Sequence, residues 1–409
     1  MSSLLEENAV LRDHSIAAMA GIQTKQLLVL LIFLYCRFLC VRSVLPSYLP
    51  VLKEQTNNDR DHLIETYFNL GFSHSEIASY LAVAHGILIS IRQLKRILKR
   101  KGLRRRGKQA ELGLVISTIE HELEGSGSSI GYRAMWQRLR NDHRMVVSRE
   151  TVRHALRIID PERVFQRQRN RLKRREYRSK GPKFLWHIDG YDKLKPFGFC
   201  IHGCIDGFSR RIMWLEVGPT NNNSGVVANY FISSVKQIGG TATVIRADYG
   251  TENVKIAGIQ RFFRRDCNDS LSGTKSFMLG KSTSNQRIEA WWGQLRRNCT
   301  EWWMNHFKNL RDLGLYCDVN VLHVECLKFC YMALIRNELK RVAIQWNLHR
   351  LRPSTNPNSL PGRPDTLYFM PSFVSDEIID CKQAVEADDI VVAEEFCCCE
   401  PPPDCLVSF

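Results

Sequence analysis

The run at residues 184–192, FLWHIDGYD, restricts the fold more than any other stretch of the chain. Three consecutive apolar residues, Phe184, Leu185 and Trp186, lead to a single acid, Asp189, with a glycine directly behind it. A buried strand reads this way when it carries a carboxylate to its exposed end. Upstream the apolar spacing is helical, and from Phe184 onward it becomes strand-like. Residues 199–205 and 212–217 read as two further strands joined by the turn Asp206-Gly207-Phe208-Ser209. A polar loop at 220–223 precedes a helix over 224–238, which Gly239-Gly240 ends. Residues 241–247 (TATVIRA) form a fourth strand that closes on Asp248. The stretch 285–297 (NQRIEAWWGQLRR) is helical and sets Glu289, Gly293 and Arg296 on one face.

Three strands, a helix and a fourth strand, with acids at two strand ends, is the order of a ribonuclease-H-like sheet. The fold class is α/β, a mixed five-stranded sheet with flanking helices behind an all-α region. Asp189, Asp248 and Glu289 are the candidate catalytic and metal-binding residues. Two divalent ions held about 4 Å apart activate a water or hydroxyl and stabilise a leaving oxygen. Two carboxylates must then come from adjacent strands, and a third can come from a helix alongside. Mg²⁺, or Mn²⁺ in its place, takes oxygen ligands and keeps several waters, so a few carboxylates suffice for two ions. Asp192 is the competing ligand, but the strand period turns it to the opposite face from Asp189. Glu252 is either an auxiliary acid or a turn residue beside Asn253. Trp291, Trp292, Trp302 and Trp303 fit core packing or base stacking.

The net charge of +16 is concentrated. Between Arg92 and Lys108 stand ten Lys/Arg and no acid, and between Arg163 and Lys183 ten Lys/Arg and one acid, Glu176. Without these two segments the chain is slightly acidic. Such density suits a polyanion, with a nuclear-import signal or a basic linker as the plainer readings. The first cluster ends a set of three short helices. Leu63-Ile64 and Tyr67-Phe68 make the first, stopped by Gly71. Ser73-His74-Ser75-Glu76 is a capping box that starts the second, with Ile77, Leu81 and Val83 inward. Ser90-Ile91-Arg92-Gln93 is another capping box, and Leu94, Ile97 and Leu98 face in behind it. A basic third helix of this kind is the recognition helix of a helix-turn-helix. Its candidate DNA contacts are Arg92, Lys95, Arg96, Lys99 and Arg100, followed by Arg104 and Arg105.

A second helical unit follows. Residues 112–123 are amphipathic, Gly125-Ser126-Gly127-Ser128 breaks the pattern, and 132–140 resumes it. Ser148 caps a helix through Val152, Leu156 and Ile159 that stops at Asp160-Pro161. The text GYRAMWQRLR…VSRETVRHALR is similar to the second helix-turn-helix preceding the catalytic domain of many bacterial-type transposases. It adds Arg149 and Arg153 as DNA candidates, the basic connector adds Lys173, Arg174 and Arg175, and the Glu289 helix adds Arg296 and Arg297.

The 14 cysteines contain no CxxC pair, and a chain of this length needs no disulfide framework. Buried thiols in a reducing compartment are the expectation. Residues 27–41 (LLVLLIFLYCRFLCV) are apolar but short for a membrane span and interrupted by Arg37, so no membrane association is expected. From Asp376 to Asp404 there are ten Asp/Glu and one Lys, a composition expected to be solvated and disordered, or to fold back on the basic segments.

The strings HIDGYDKL, IDGFSRR, IRADYGTEN and SNQRIEAWWGQLRR, in this order, resemble the catalytic core of the retroviral integrase and DDE transposase superfamily. The closer likeness is to transposon-derived integrase core domain proteins of animals, and it extends through WNLHRLRPS and GRPDTLYF. The resemblance implies Asp189, Asp248 and Glu289 as the acidic triad, and Asp206 and Arg210 as structural residues of a turn. Forty residues separate Asp248 from Glu289, more than in retroviral integrases, which implies an enlarged loop at 266–281. Tyr249 stands where an asparagine usually follows the second acid, and no His/His/Cys/Cys zinc module precedes the core. The expected division is an unassigned 1–60, a helix-turn-helix at 61–108, a second helical domain at 109–162, a basic linker at 163–183, the core at 184–369 and the acidic tail at 370–409. Three functions fit: a nuclear polynucleotidyl transferase acting on DNA as a homo-oligomer, a DNA-binding protein with a silent core, and a nuclease without strand joining.

Overall fold

The structure is a computed structural model and describes residues 59–104, 107, 109–169, 177, 179–353 and 360–404. The apolar run at 27–41 and the candidates Arg105, Lys173, Arg174 and Arg175 lie outside the described residues.

The chain begins with three short helices, α1 (Arg60–Asn69), α2 (His74–His85) and α3 (Ile91–Arg100). Both capping boxes form. Ser73 Oγ accepts from Glu76 N–H while Glu76 accepts from Ser73 N–H, and Ser90 and Gln93 repeat the exchange. Gly71, at φ 85°, makes the left-handed step that a side chain would resist. Leu63, Ile64, Tyr67, Ile77, Tyr80, Leu81 and Leu94 close the core of this unit. Val83 stays in solvent, because the Tyr80–Leu81 side of α2 already faces that core.

The second unit comprises α4 (Leu112–Glu124), α5 (Tyr132–Asn141) and α6 (Arg149–Ile159), packed around Val115, Ile119, Met135, Leu139, Val152 and Leu156. Gly125 to Ser128 breaks α4, as expected, into a 3₁₀ turn, Ser126–Ser129. α6 stops at Ile159 with Asp160 as its C-cap, as expected. Proline at the first helical position costs no hydrogen bond, and α7 (Pro161–Arg169) starts there.

The core sheet holds β1 (Leu185–Tyr191), β2 (Cys200–Asp206) and β3 (Ile212–Gly218), then α8 (Ser224–Ile238), β4 (Val244–Ala247), α9 (Val254–Phe263) and β5 (Phe277–Leu279). The strand order is β3-β2-β1-β4-β5. β1–β2 and β2–β3 are antiparallel, and β1–β4 and β4–β5 are parallel. This is the mixed five-stranded, ribonuclease-H-like sheet. Every residue of β2 and β3 is buried, so helices cover both faces. The region expected as one enlarged loop, 266–281, contains a 3₁₀ turn and the edge strand β5, too short to show a period.

α10 (Gln286–Leu295) runs into a π-turn, Arg296–Thr300, and then α11 (Glu301–Asp312). α12 (Val321–Leu348) packs along β3, and α13 (Pro364–Phe369) packs on α12. Both helical units dock here. Arg363 donates to the Gly71 carbonyl at 2.7 Å and to Glu76 at 3.2 Å, and Leu348 and Met370 complete the first unit's core. Gln137 donates to the Gln345 carbonyl, and Trp302 Nε1 to the Glu124 carbonyl.

Two expectations about charge need correction. Lys183, at the end of the basic linker, is buried: its N–H donates to Asp206 and its Nζ to Asp380 at 2.6 Å. The acidic tail is ordered through Asp404. It forms α14 (Ala387–Cys397) on α8 and α9, with Val385, Ile390 and Ala393 against the core. Its acids meet core bases: Asp389 pairs with Arg265, Glu394 with Lys236 and Asp404 with Arg336. Apolar residues between the acids give it a side to bury, and these bases answer its charge.

Candidate active site

β1 brings Asp189 near its carboxyl end, where it is 8 % exposed. The parallel β1–β4 register pairs Leu185 with Val244, Trp186 with Ile245 and His187 with Arg246. Continued by two residues, it sets Asp248 beside Asp189, at a strand spacing of about 4.8 Å. Asp248 is half-buried, and its Oδ1 accepts from Gly250 N–H at 3.1 Å, a local turn that leaves Tyr249 in solvent. Glu289 stands in the first turn of α10 and is exposed.

α10 is held against β1 by bonds that no local pattern foretells. Asn285, at its N-terminus, donates to the Ile188 carbonyl at 2.8 Å and accepts from His187 Nδ1 at 2.7 Å. His187 Nε2 in turn accepts from Tyr177, and burial pushes the imidazole down to about 3, so it is neutral. One turn past Glu289, Trp292 Nε1 donates to Asp189 Oδ2 at 2.8 Å. The indole lies over Gly203, which pairs with Asp189 across β1–β2. A Cβ there would stand 2.8 Å from Trp292 Cη2. Glycine inside the strand text CIHGCID is the available signal, since it marks a close approach by another group.

The acids act on one another. Burial first, then repulsion from Asp248 and Glu289, push the Asp189 carboxyl up to about 7, against the opposing Trp292 hydrogen bond. Glu289 is raised by burial and then by Asp248, and Glu252 by burial with further contributions from Asp248 and Asp192. Among the described residues, no Lys or Arg forms an ion pair with Asp189, Asp248 or Glu289. Asp192 lies past the end of β1, exposed and paired with Lys195 at 3.1 Å. Among the described residues, no three His, Cys, Asp or Glu side chains stand close enough to hold a metal ion.

Trp291 and Trp303 are buried and Trp302 partly so, with its indole committed to α4. Arg296 begins the π-turn and pairs with Glu301 at 3.6 Å; Arg297 is exposed. On α3, Arg92, Lys95, Arg96, Lys99 and Arg100 are all exposed, as is Arg104 beyond it. Lys95, Lys99 and Arg104 line a cleft of about 270 Å³ with Phe68 and His74. On α6, Arg149 stacks on Trp136 at 4.4 Å and Arg153 pairs with Glu150. Asp206, fully buried, accepts from the N–H groups of Ser209 and Lys183 and from Ser209 Oγ; Arg210, at φ 63°, donates to the Leu360 carbonyl.

Among the described residues, no helix is long and apolar enough to cross a membrane. No curated protein matches the chain. A family model, the integrase core domain, matches residues 176–371, a segment that holds the sheet, the three acids and α10 to α13. Integrase core domains generally use divalent metal ions and typically bind DNA. The sheet order agrees with that match, and residues 176–371 are similar to an integrase core domain.

Proposed function

We propose that the chain is a DDE-type polynucleotidyl transferase that binds DNA, hydrolyses a phosphodiester and joins the new 3′ hydroxyl to a second duplex. The observation that carries this reading is the β1–β4 register, which sets Asp248 beside Asp189 with Glu289 near enough to repel Asp189. A buried Asp189 carboxyl raised beside Asp248 and Glu289, with no ion-pair partner among the described residues, suits a hard divalent cation. A bound Mg²⁺ or Mn²⁺ pair supplies an activated water and a stabilised leaving oxygen. The chain's own part is to hold Asp189 rigidly through Trp292, to bring Glu289 in on α10, and to seat the duplex. Exposed cations on α3 suit major-groove binding by a helix-turn-helix, with Arg149, Arg153 and Arg297 as further backbone contacts. A DNA substrate calls for a nuclear protein, and a fusion excluded from nuclei would refute that. Joining two ends calls for at least two copies, which sizing of the protein with duplex ends checks.

The test is a labelled duplex end incubated with Mg²⁺ or Mn²⁺, with Asp189→Asn as control. Joined products that need both metal and Asp189 support the transferase, and cleavage alone leaves a nuclease. One observation favours a second reading, a DNA-binding protein that keeps the core as a fold: no three acids stand within metal-holding reach among the described residues. Tight duplex binding without any metal-dependent product selects it.

A further inference from the structure

α10 is fixed to β1 along its length, by Asn285 at the start, by Trp292 on Asp189, and by Thr300, whose hydroxyl bonds Tyr191 at 2.8 Å. A fourth bond comes from outside the core. Arg138 of α5, in the second helical unit, is 1 % exposed. Its Nη1 donates to Glu122 at 2.7 Å, and its Nη2 donates to the backbone carbonyl of Asn298 at 3.2 Å. Asn298 lies in the π-turn that continues α10. A π-turn widens the ladder to i→i+5 and disturbs the ordinary pairing of its carbonyls, so an outside donor has a place to bind.

The surroundings are built for this contact. His143 Nε2 bonds the second oxygen of Glu122 at 2.8 Å, fixing the carboxylate that faces Arg138. Gly127 brings its backbone so close that a Cβ there would stand 3.1 Å from Arg138 Nη1. Arg341 of α12 donates to Ser126 and Glu338, bracing the same turn from the core side. A guanidinium buried this deeply holds only if its partners keep their places, so the contact fixes both sides of the interface.

We infer that Arg138 is a positioning residue for Glu289: the second helical unit, through the Asn298 carbonyl, sets the helix that brings the third acid toward Asp189 and Asp248. The inference rests on the reading of those acids as a metal site. It makes the second helical unit a part of the active-site scaffold as well as a surface for DNA. The Arg138 bond holds the continuation of the Glu289 helix from outside the core.

The full-length protein is tested by two readouts. Arg138→Lys keeps a charge for Glu122 but does not reach both acceptors. Hydrogen exchange over residues 286–300 is expected to quicken about tenfold, corresponding to about 1.4 kcal/mol of local opening, while β1 and β4 stay protected. Mn²⁺ affinity, followed by the paramagnetic signal of the free ion, is expected to fall by a similar factor. Should Arg138→Lys also expose β1, Glu122→Gln provides the gentler perturbation, with a smaller change of the same sign over 286–300. Unchanged exchange over 286–300 overturns the inference, and so does faster exchange with wild-type Mn²⁺ affinity, which would make Arg138 a brace with no influence on the acid. A wild-type protein that takes up no Mn²⁺ refutes the metal reading instead, and the positioning of Glu289 for metal falls with it; the exchange readout then still separates a loose α10 from a held one.

Discussion

The basic face of α3 and the acid cluster at the end of β1 both gather like charges, and the fold treats them in opposite ways. On α3 the cations stand in water along an exposed helix, where solvent and salt screen them at small cost. At the sheet, Asp189 is 8 % exposed and repelled by two neighbours, so its charge is costly until a cation arrives. Exposed like charges make a surface that attracts a polyanion from a distance. Buried like charges raise the cost of ionisation, which a cation of opposite sign would relieve. The first is assembled by one helix, and the second needs two strands and a helix.

The strongest way to break the comparison is Asp189→Asn. Metal-dependent cleavage is expected to drop to the metal-free background while duplex affinity stays at the wild-type level, as read by gel assay and fluorescence anisotropy. Loss of both together would show that the two regions are not separate. Truncation of residues 376–409 comes next. It strips Val385, Ile390 and Ala393 from the core along with the ion pairs of Asp380, Asp389 and Glu394. At about 1–3 kcal/mol for each large buried apolar side chain, several kcal/mol of stability should disappear in denaturant titration. Duplex affinity and its salt dependence should hold, because the tail answers bases of the core and not those of α3; a large rise in affinity would make the tail a competitor of DNA.

Neutralising Lys95, Arg96 and Lys99 together tests the other side. The slope of log affinity against log salt should fall by about 3, since each cation answers roughly one phosphate, while the melting temperature barely moves. An unchanged slope would remove α3 from the interface. The smallest effect sharpens the contrast from within the core. His202 is fully buried, accepts from Trp214 Nε1 at its Nδ1, and is pushed down to about 4 by burial. The unfolded chain takes up that proton near pH 6.5 and the folded chain refuses it. Stability is therefore complete above about pH 6.5 and falls by about 1.4 kcal/mol per unit as pH drops toward 4. His202→Gln should flatten that part of the pH profile, and a profile that stays as steep would assign the acid sensitivity elsewhere.

Local text makes much of the architecture legible. Ser73 with Glu76 and Ser90 with Gln93 announce two helix starts because a capping box involves only near neighbours. The helix Ser224–Ile238 is found where its flanking loop and glycine pair put it. Strand text ending in Asp189 and Asp248 points to two acids that the register then sets side by side. What stays hidden depends on partners distant in sequence or on elements too short to show a pattern. A new helix starts at Pro161 directly after the expected stop, and β5 is too short to carry a period. The tail's charge masks its apolar residues, because the bases that answer it, Lys236 and Arg265, lie more than a hundred residues away.

By itself, then, the sequence determined where helices begin, which strands carry acids and which helix carries cations, since each of these is decided within a few residues. Only the tertiary structure decided what surrounds Asp189. Trp292 on its carboxylate, Gly203 beneath that indole, Asn285 on His187 and Arg138 on the π-turn are contacts across 89 to 160 positions of chain. No local period encodes such contacts, and they exist only once sheet, helix and second helical unit have packed together.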